Sequence, residues 1–395
     1  MGIIFKEMKR YLFTLIICIG FLNAFAQVPE NNFKTYTVGI FAPVYLDSAF
    51  TDNSYRYSKT FPKFTFGGLE FLSGVQIALD SILIYQANIK AKLFDSKAMD
   101  ASTFDGNPDY NNLDLIIGSV KEDDYNSLAA LAFKKNIPFI NVTYPNDGGI
   151  SANPFLVILN STLKAHCESI FSYINQNHGF DNLVFCTKDG SQEKKVEDYF
   201  NESNNRDGIN LLNIKKVVVN NNFESVLSKL DSTKKNIIVG GSLDRKFATD
   251  LANAAAGWSS TYNIQLIGMP NWDAFFTGKN KISFPVYYTS PYYNLKTDQY
   301  SALLQDAYQK KFNALPSDLA YKGFESVYIF LKLLAKHPAD FMSHLNDYPH
   351  KVFSDFNIKP VFLDKKSVVP DYFENKHLYF LKIENGITTS LIIGN

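Results

Sequence analysis

Seven side chains stand just beyond short apolar runs, and their types suit the holding of a small polar molecule. Ser119 follows Asp114–Ile117 and precedes a helical stretch. Its hydroxyl and the neighbouring N–H groups could accept an anionic group, or serve only as a helix cap. Asn141, Thr143 and Tyr144 follow Ile137–Ile140 and combine hydrogen-bonding groups with an aromatic face, as binding pockets do. Turn formation would use the same residue types. Ser242 and Asp244 follow Gly240-Gly241, where Asp244 suits either a cationic group or a helix start. Trp272, after Gly268-Met269-Pro270, could cover a ligand or pack against a neighbouring helix.

Reactive constellations are missing. The chain has no Gly-x-Ser-x-Gly elbow, no Walker loop, no His-Glu-x-x-His and no Gly-rich dinucleotide turn. Its six histidines are scattered, with no metal-ligand pair at helical spacing. Asp123-Asp124 reads as a solvated helix start rather than an acid/base pair. No catalytic residue, metal or cofactor is therefore expected. Lys+Arg and Asp+Glu balance at 39 each, which gives no support for a nucleic-acid partner. Hydrophobic residues make up 46% of the 395, enough for a substantial core. The 34 Phe and 23 Tyr are spread along the chain and read mainly as core.

The elements that would position those seven residues alternate. Tyr36–Phe41, Ile89–Phe94, Asp114–Ile117 and Ile137–Ile140 read as strands, with helical spacing between them, as in Phe71, Leu72, Val75, Ala78, Leu79 and Ile82. The pattern restarts with a helix at Leu163–Ile174. Strands follow at Leu183–Cys186, Ile214–Val219, Ile237–Val239, Ile264–Ile267 and Val286–Thr289. Two long helices come next, around Tyr300–Tyr308 and Phe324–Leu331, separated by Pro316. The tail ends in a hairpin about Asn385-Gly386. Alternation of this kind predicts an α/β fold of two doubly wound, Rossmann-like lobes with a ligand crevice at the strand ends and a hinged cleft.

The N-terminus has the order of a secretory signal: Lys6, Lys9 and Arg10, an uncharged Tyr11–Leu22 run, then Ala24-Phe25-Ala26. Residues 1–26 are thus expected to be removed and the remainder to lie in the periplasm or outside the cell. Cys167 and Cys186 would remain, in a compartment that permits a disulfide. Both the bond and two free thiols stay open at this point.

Several segments resemble the type I periplasmic binding proteins. Glu70-Phe71-Leu72-Ser73-Gly74 with Val75–Asp80 resembles that family's first helix. Asp114–Ser119 is similar to its third strand, and Ile137–Ile140 to the next. Ala320-Tyr321-Lys322-Gly323-Phe324-Glu325-Ser326 resembles its late helix start, with Glu325 where Asp is more usual. The resemblance spans about residues 36–383. It implies a non-enzymatic solute receptor, the binding component of an ABC importer whose permease and ATPase are separate proteins. The ligand would be small and polar, in the family often an amino acid. Thr187–Gln192 lacks the aromatic that amino-acid receptors often carry there. The alternative is a regulatory or scaffolding envelope protein with a protein or cell-wall partner. The expected lobes are 36–160 plus 290–338, and 161–289 plus 339–395, with crossings near 158–162, 288–294 and 335–350.

Overall fold

The computed structural model describes residues 34–391 except 53, 59, 83–87, 101, 103, 105–106, 221, 277–280 and 348–351. The expected signal segment lies outside the described residues. Among the described residues no helix is long and apolar enough to cross a membrane.

From the N-terminal side come β1 (Tyr36–Ala42), α1 (Phe66–Ile82), β2 (Ile89–Asp95), β3 (Leu115–Gly118), α2 (Glu122–Lys135), β4 (Phe139–Asn141) and β5 (Leu156–Ile158). A second series follows: α3 (Leu163–Asn177), β6 (Asn182–Thr187), α4 (Ser191–Asn204), β7 (Ile214–Val218), β8 (Lys235–Gly240), α5 (Arg245–Trp258), β9 (Asn263–Ile267) and β10 (Val286–Ser290). The chain then forms α6 (Gln299–Phe312), α7 (Asp318–Lys336), β11 (Ile358–Val361), β12 (Tyr372–Asn375), β13 (Tyr379–Glu384) and β14 (Ile387–Ser390).

Two seven-stranded sheets result. The first has the order β11-β12-β5-β4-β3-β1-β2, and the second β7-β6-β8-β9-β10-β13-β14. Neighbours from β1 through β3, β4 and β5 to β12 are parallel, and β11 joins β12 antiparallel. In the second sheet β7, β6, β8, β9 and β10 are parallel, and β13 and β14 add antiparallel strands. Parallel strands covered by helices on both faces need apolar side chains throughout. Val38, Ile40, Ile116 and Ile117 in the first sheet, and Ile237, Ile238, Leu266 and Ile267 in the second, are accordingly inaccessible to solvent.

Four helices start on a side-chain cap. Asp298, Ser317, Thr162 and Asp244 accept hydrogen bonds from the first-turn N–H groups of α6, α7, α3 and α5. Asn313 stops α6 in the left-handed region, φ 52°, three residues before Pro316. The terminal hairpin turns on Asn385 and Gly386, φ 53° and 76°, the pair of left-handed residues a two-residue loop demands.

Two expectations need correction. The tail was expected to join the second lobe as a whole, but 358–375 completes the first sheet. β12 runs parallel to β5, so Phe373 lies opposite Val157 and covers what would be an open edge. The third crossing therefore falls between Asn375 and Tyr379 and not at 335–350. It is tied to the first crossing: the Ser161 hydroxyl donates to the Asn375 carbonyl (2.6 Å), and the Thr162 N–H donates to Glu374 Oε1 (2.7 Å). The structure also chooses between the two alternatives left open for the cysteines. Cys167 and Cys186 are free thiols. Both fill the core of the second sheet as small apolar groups, and burial pushes the thiols up, Cys186 to about 12.

Candidate functional site: a cavity between two sheet edges

The C-terminal ends of the parallel strands in both sheets face one cavity of about 480 Å³. Tyr144 and Asn160 reach it beyond β4 and β5, Leu243 and Asn271 beyond β8 and β9, and Tyr292 beyond β10. Lys322 enters from the second turn of α7. A second cavity of about 510 Å³ adjoins it, sharing Asp273, Ser290, Tyr292 and Lys322 as walls.

Of the seven residues picked from the sequence, only Tyr144 lines this space. Its ring is held edge-on against Tyr125 at 5.2 Å. The Ser119 and Thr143 hydroxyls lie 3.1 Å apart and satisfy each other, and the Ser119 N–H donates to Phe41 O. Neither residue lines the cavity. Asn141 is fully buried; its amide nitrogen donates to Tyr144 O (2.7 Å) and closes the turn. Ser242 is also fully buried, donating to Glu193 Oε1 at 2.6 Å. Asp244 caps α5 through the Phe247 N–H (2.8 Å), which holds its carboxyl below the usual range, and stands 3.5 Å from Lys188 Nζ.

Trp272 is fully buried and cannot cover a ligand. Its indole N–H donates to Ser242 O (2.8 Å), and its ring packs edge-on against Phe247 and Phe276. Gly240 and Gly268 make room for it: a Cβ at either would come within 2.3 Å and 2.2 Å of ring atoms. Asn141, Ser242 and Trp272 are thus structural, and their neighbours Leu243 and Asn271 take the cavity positions. Gln192 lines the cavity from the stretch that lacks an aromatic.

The charged groups of the site were not among the residues picked. Lys322 is half-buried, and among the described residues its Nζ makes no hydrogen bond or ion pair. It lies 4.1 Å from the centre of the Tyr292 ring. Burial pulls the ammonium below its ordinary pKa, opposed by the carboxylates of Asp318, Asp273 and Glu325. Burial likewise pushes the Asp273 carboxyl up. Tyr292 is fixed by donating its hydroxyl to Val142 O at 2.7 Å. Glu325 is engaged elsewhere, accepting from the N–H groups of Phe353 (2.7 Å) and Ser354 (2.5 Å). A lysine amid Ala320, Tyr321, Gly323 and Phe324, all buried, was the available signal, because lysine is rarely buried without reason.

His166 closes the floor of the cavity, Nδ1 2.7 Å from Thr289 Oγ1. Burial lowers its pKa to about 3, despite a hydrogen bond with the Ser161 backbone. The unfolded chain takes up this proton near its ordinary value of about 6.5. Protons therefore bind the unfolded state first, and stability is expected to fall as pH drops from about 6.5 towards 3. A urea-midpoint series against pH should show that His166→Gln flattens the fall.

A model of the periplasmic binding protein family matches residues 109–369. No curated protein matches the chain by sequence. A putative branched-chain amino acid ABC transporter from Rhodospirillum rubrum superposes with a TM-score of 0.63 at 13% identity, covering 91% of this chain and 100% of that one. The leucine complex of an ABC transporter substrate-binding protein from Desulfitobacterium hafniense gives 0.56 at 14%, with 91% and 100% covered. The isoleucine complex of a branched-chain amino acid transporter substrate-binding protein from Streptococcus pneumoniae gives 0.50 at 17%, with 91% and 99% covered. The family match spans well over half of the chain, and the two mostly parallel sheets are those of the type I fold: the chain belongs to the periplasmic binding protein family.

Proposed function

We propose that the protein is an exported, non-enzymatic receptor for a small polar solute, bound in the cavity between the two sheets. One observation carries this reading: among the described residues the Lys322 ammonium, half-buried in that cavity, has carboxylates nearby but none within ion-pair distance. A desolvated, unpaired charge is costly, and an anionic ligand group would offset that cost. Asp273 presents the opposite charge to the same space. The pair suits a zwitterion, so an amino-acid-like solute is favoured, with Tyr144 and Tyr292 as aromatic walls. The solved relatives named for leucine and isoleucine support this choice of class.

Contacts from both sheets would make ligand affinity highest in the closed arrangement, which is what closure requires. The lobes in this reading are 36–160 with 290–338 and 358–375, against 161–289 with 379–390. Delivery to a separate permease is the corresponding role in transport. A regulatory role with a protein partner has its own observation: Phe50, Tyr57, Phe61, Phe64 and Phe66 are exposed close together in sequence.

A thermal-shift panel tests the reading. Free amino acids are expected to raise the melting temperature, because a ligand that binds only the folded state stabilises it. Shifts from neutral sugars alone, with none from any carboxylated solute, would overturn the assignment to Lys322.

A further inference from the structure

The fold gathers two of the scattered histidines at the far end of α7. His337 follows the last residue of that helix, its N–H bonded to Leu333 O at 2.8 Å. Asp340 and His344 come one turn later, with His344 Nε2 2.7 Å from Asp340 Oδ2. His337 Nδ1 is 3.9 Å from Asp340 Oδ1. The two imidazoles stack with centroids 3.7 Å apart and planes 11° from parallel. One donor atom from each of the three residues lies within 4.8 Å of the others. Buried Phe341 anchors the turn against Phe330.

We propose that His337, Asp340 and His344 bind a divalent transition-metal ion of borderline softness, such as Zn²⁺, Ni²⁺ or Cu²⁺. Ligand atoms ~2.1 Å from a tetrahedral ion stand about 3.4 Å apart. The 2.7 and 3.9 Å separations, to the two different oxygens of Asp340, lie on either side of that value; the imidazoles, stacked without an ion, must rotate out of their parallel arrangement to aim both lone pairs at one centre. A second carboxylate supports the same assignment. Asp347 Oδ2 lies 2.6 Å from His344 Nδ1. It takes that nitrogen's proton as a hydrogen bond and leaves the Nε2 lone pair for the ion, the carboxylate–histidine–metal arrangement. The C-terminal end of a 19-residue helix adds negative potential beside His337. Two imidazoles disfavour Ca²⁺ and Mg²⁺, which take oxygen ligands. Among the described residues no thiolate competes, since Cys167 and Cys186 are buried in the second core. The three side chains are 19%, 57% and 26% exposed, so a fourth position is open to solvent. None of them lines the cavity that holds Lys322, which lies 15 residues, about 22 Å, back along the helix.

The test is calorimetric titration of tag-free, EDTA-stripped protein with ZnCl₂. One equivalent is expected to bind saturably. His337→Ala and His344→Ala should each weaken binding at least ~10-fold, and Asp347→Asn, which only positions His344, by ~10–100-fold at unchanged stoichiometry. Protein loaded with Co²⁺ should show ligand-field bands without thiolate charge transfer. Absence of saturable binding to the wild type would overturn the site, as would unchanged affinity in the folded His337→Ala/His344→Ala double variant. The wild-type titration decides the matter even if a variant fails to fold.

Discussion

Gly74→Ala is expected to destabilise the protein by ~3 kcal/mol or more, the upper end of overpacking costs. A Cβ built on Gly74 would stand 1.9 Å from the carbonyl oxygen of Ala320, and one on Gly323 would stand 2.2 Å from that of Phe71. Both obstacles are backbone atoms of the facing helix, which cannot rotate aside. The two glycines let α1 and α7 approach until backbone meets backbone, and a methyl group must push the helices apart along their whole seam. Gly257, exposed within α5, is the control. A Cβ there meets nothing within 4 Å, so Gly257→Ala should be neutral or stabilising by up to ~1 kcal/mol. Thermal melts of the two variants check the contrast, and equal melting temperatures would refute the seam as described.

Lys322→Met is expected to weaken ligand binding by about 2–5 kcal/mol, at least ~30-fold, the range for removing one partner of a desolvated charge pair. Methionine keeps the length and the packing against Tyr292. The fold should therefore survive, and with the unpaired ammonium gone the ligand-free protein should melt no lower than the wild type. Calorimetry with a solute found by the thermal-shift panel measures both effects. A variant that loses stability and keeps its affinity would assign Lys322 to the scaffold instead.

The sequence motifs and the structure agree most where packing dictates residue type. Gly74 and Gly323 belong to two of the four segments that carried the family resemblance, and they are the contact points of one helix pair. The Gly268–Trp272 segment is likewise explained by an indole that needs a glycine beneath it. Long helices and apolar strands were legible because each has its own periodicity. β5, of three residues, was not read as a strand, and its pairing with β12 joins residues more than two hundred positions apart, which no local pattern records. The site divided along the same line. The strand ends picked from the sequence border the cavity, but of the seven residues picked there only Tyr144 lines it. Asn141 spends its hydrogen bonds on its own turn and Ser242 its hydroxyl on Glu193, and the neighbouring Tyr144 and Leu243 line the space. Lys322 was passed over because it stands on a helix, away from every strand end.

The ties between Ser161 and Asn375, and between Thr162 and Glu374, constrain how the two halves can move. Two connecting segments bonded side by side cannot twist independently, so they define an axis. In the proposed closure the tied segments favour rotation about that axis over independent twisting. A solute spanning the gap then has less motion to fix, and the conformational entropy lost on closure is correspondingly small. Opening the tie to Glu374, which lies outside the cavity lining, for example with Glu374→Ala, would release a second degree of freedom. Affinity would then fall through entropy alone, with every contact to the solute left in place.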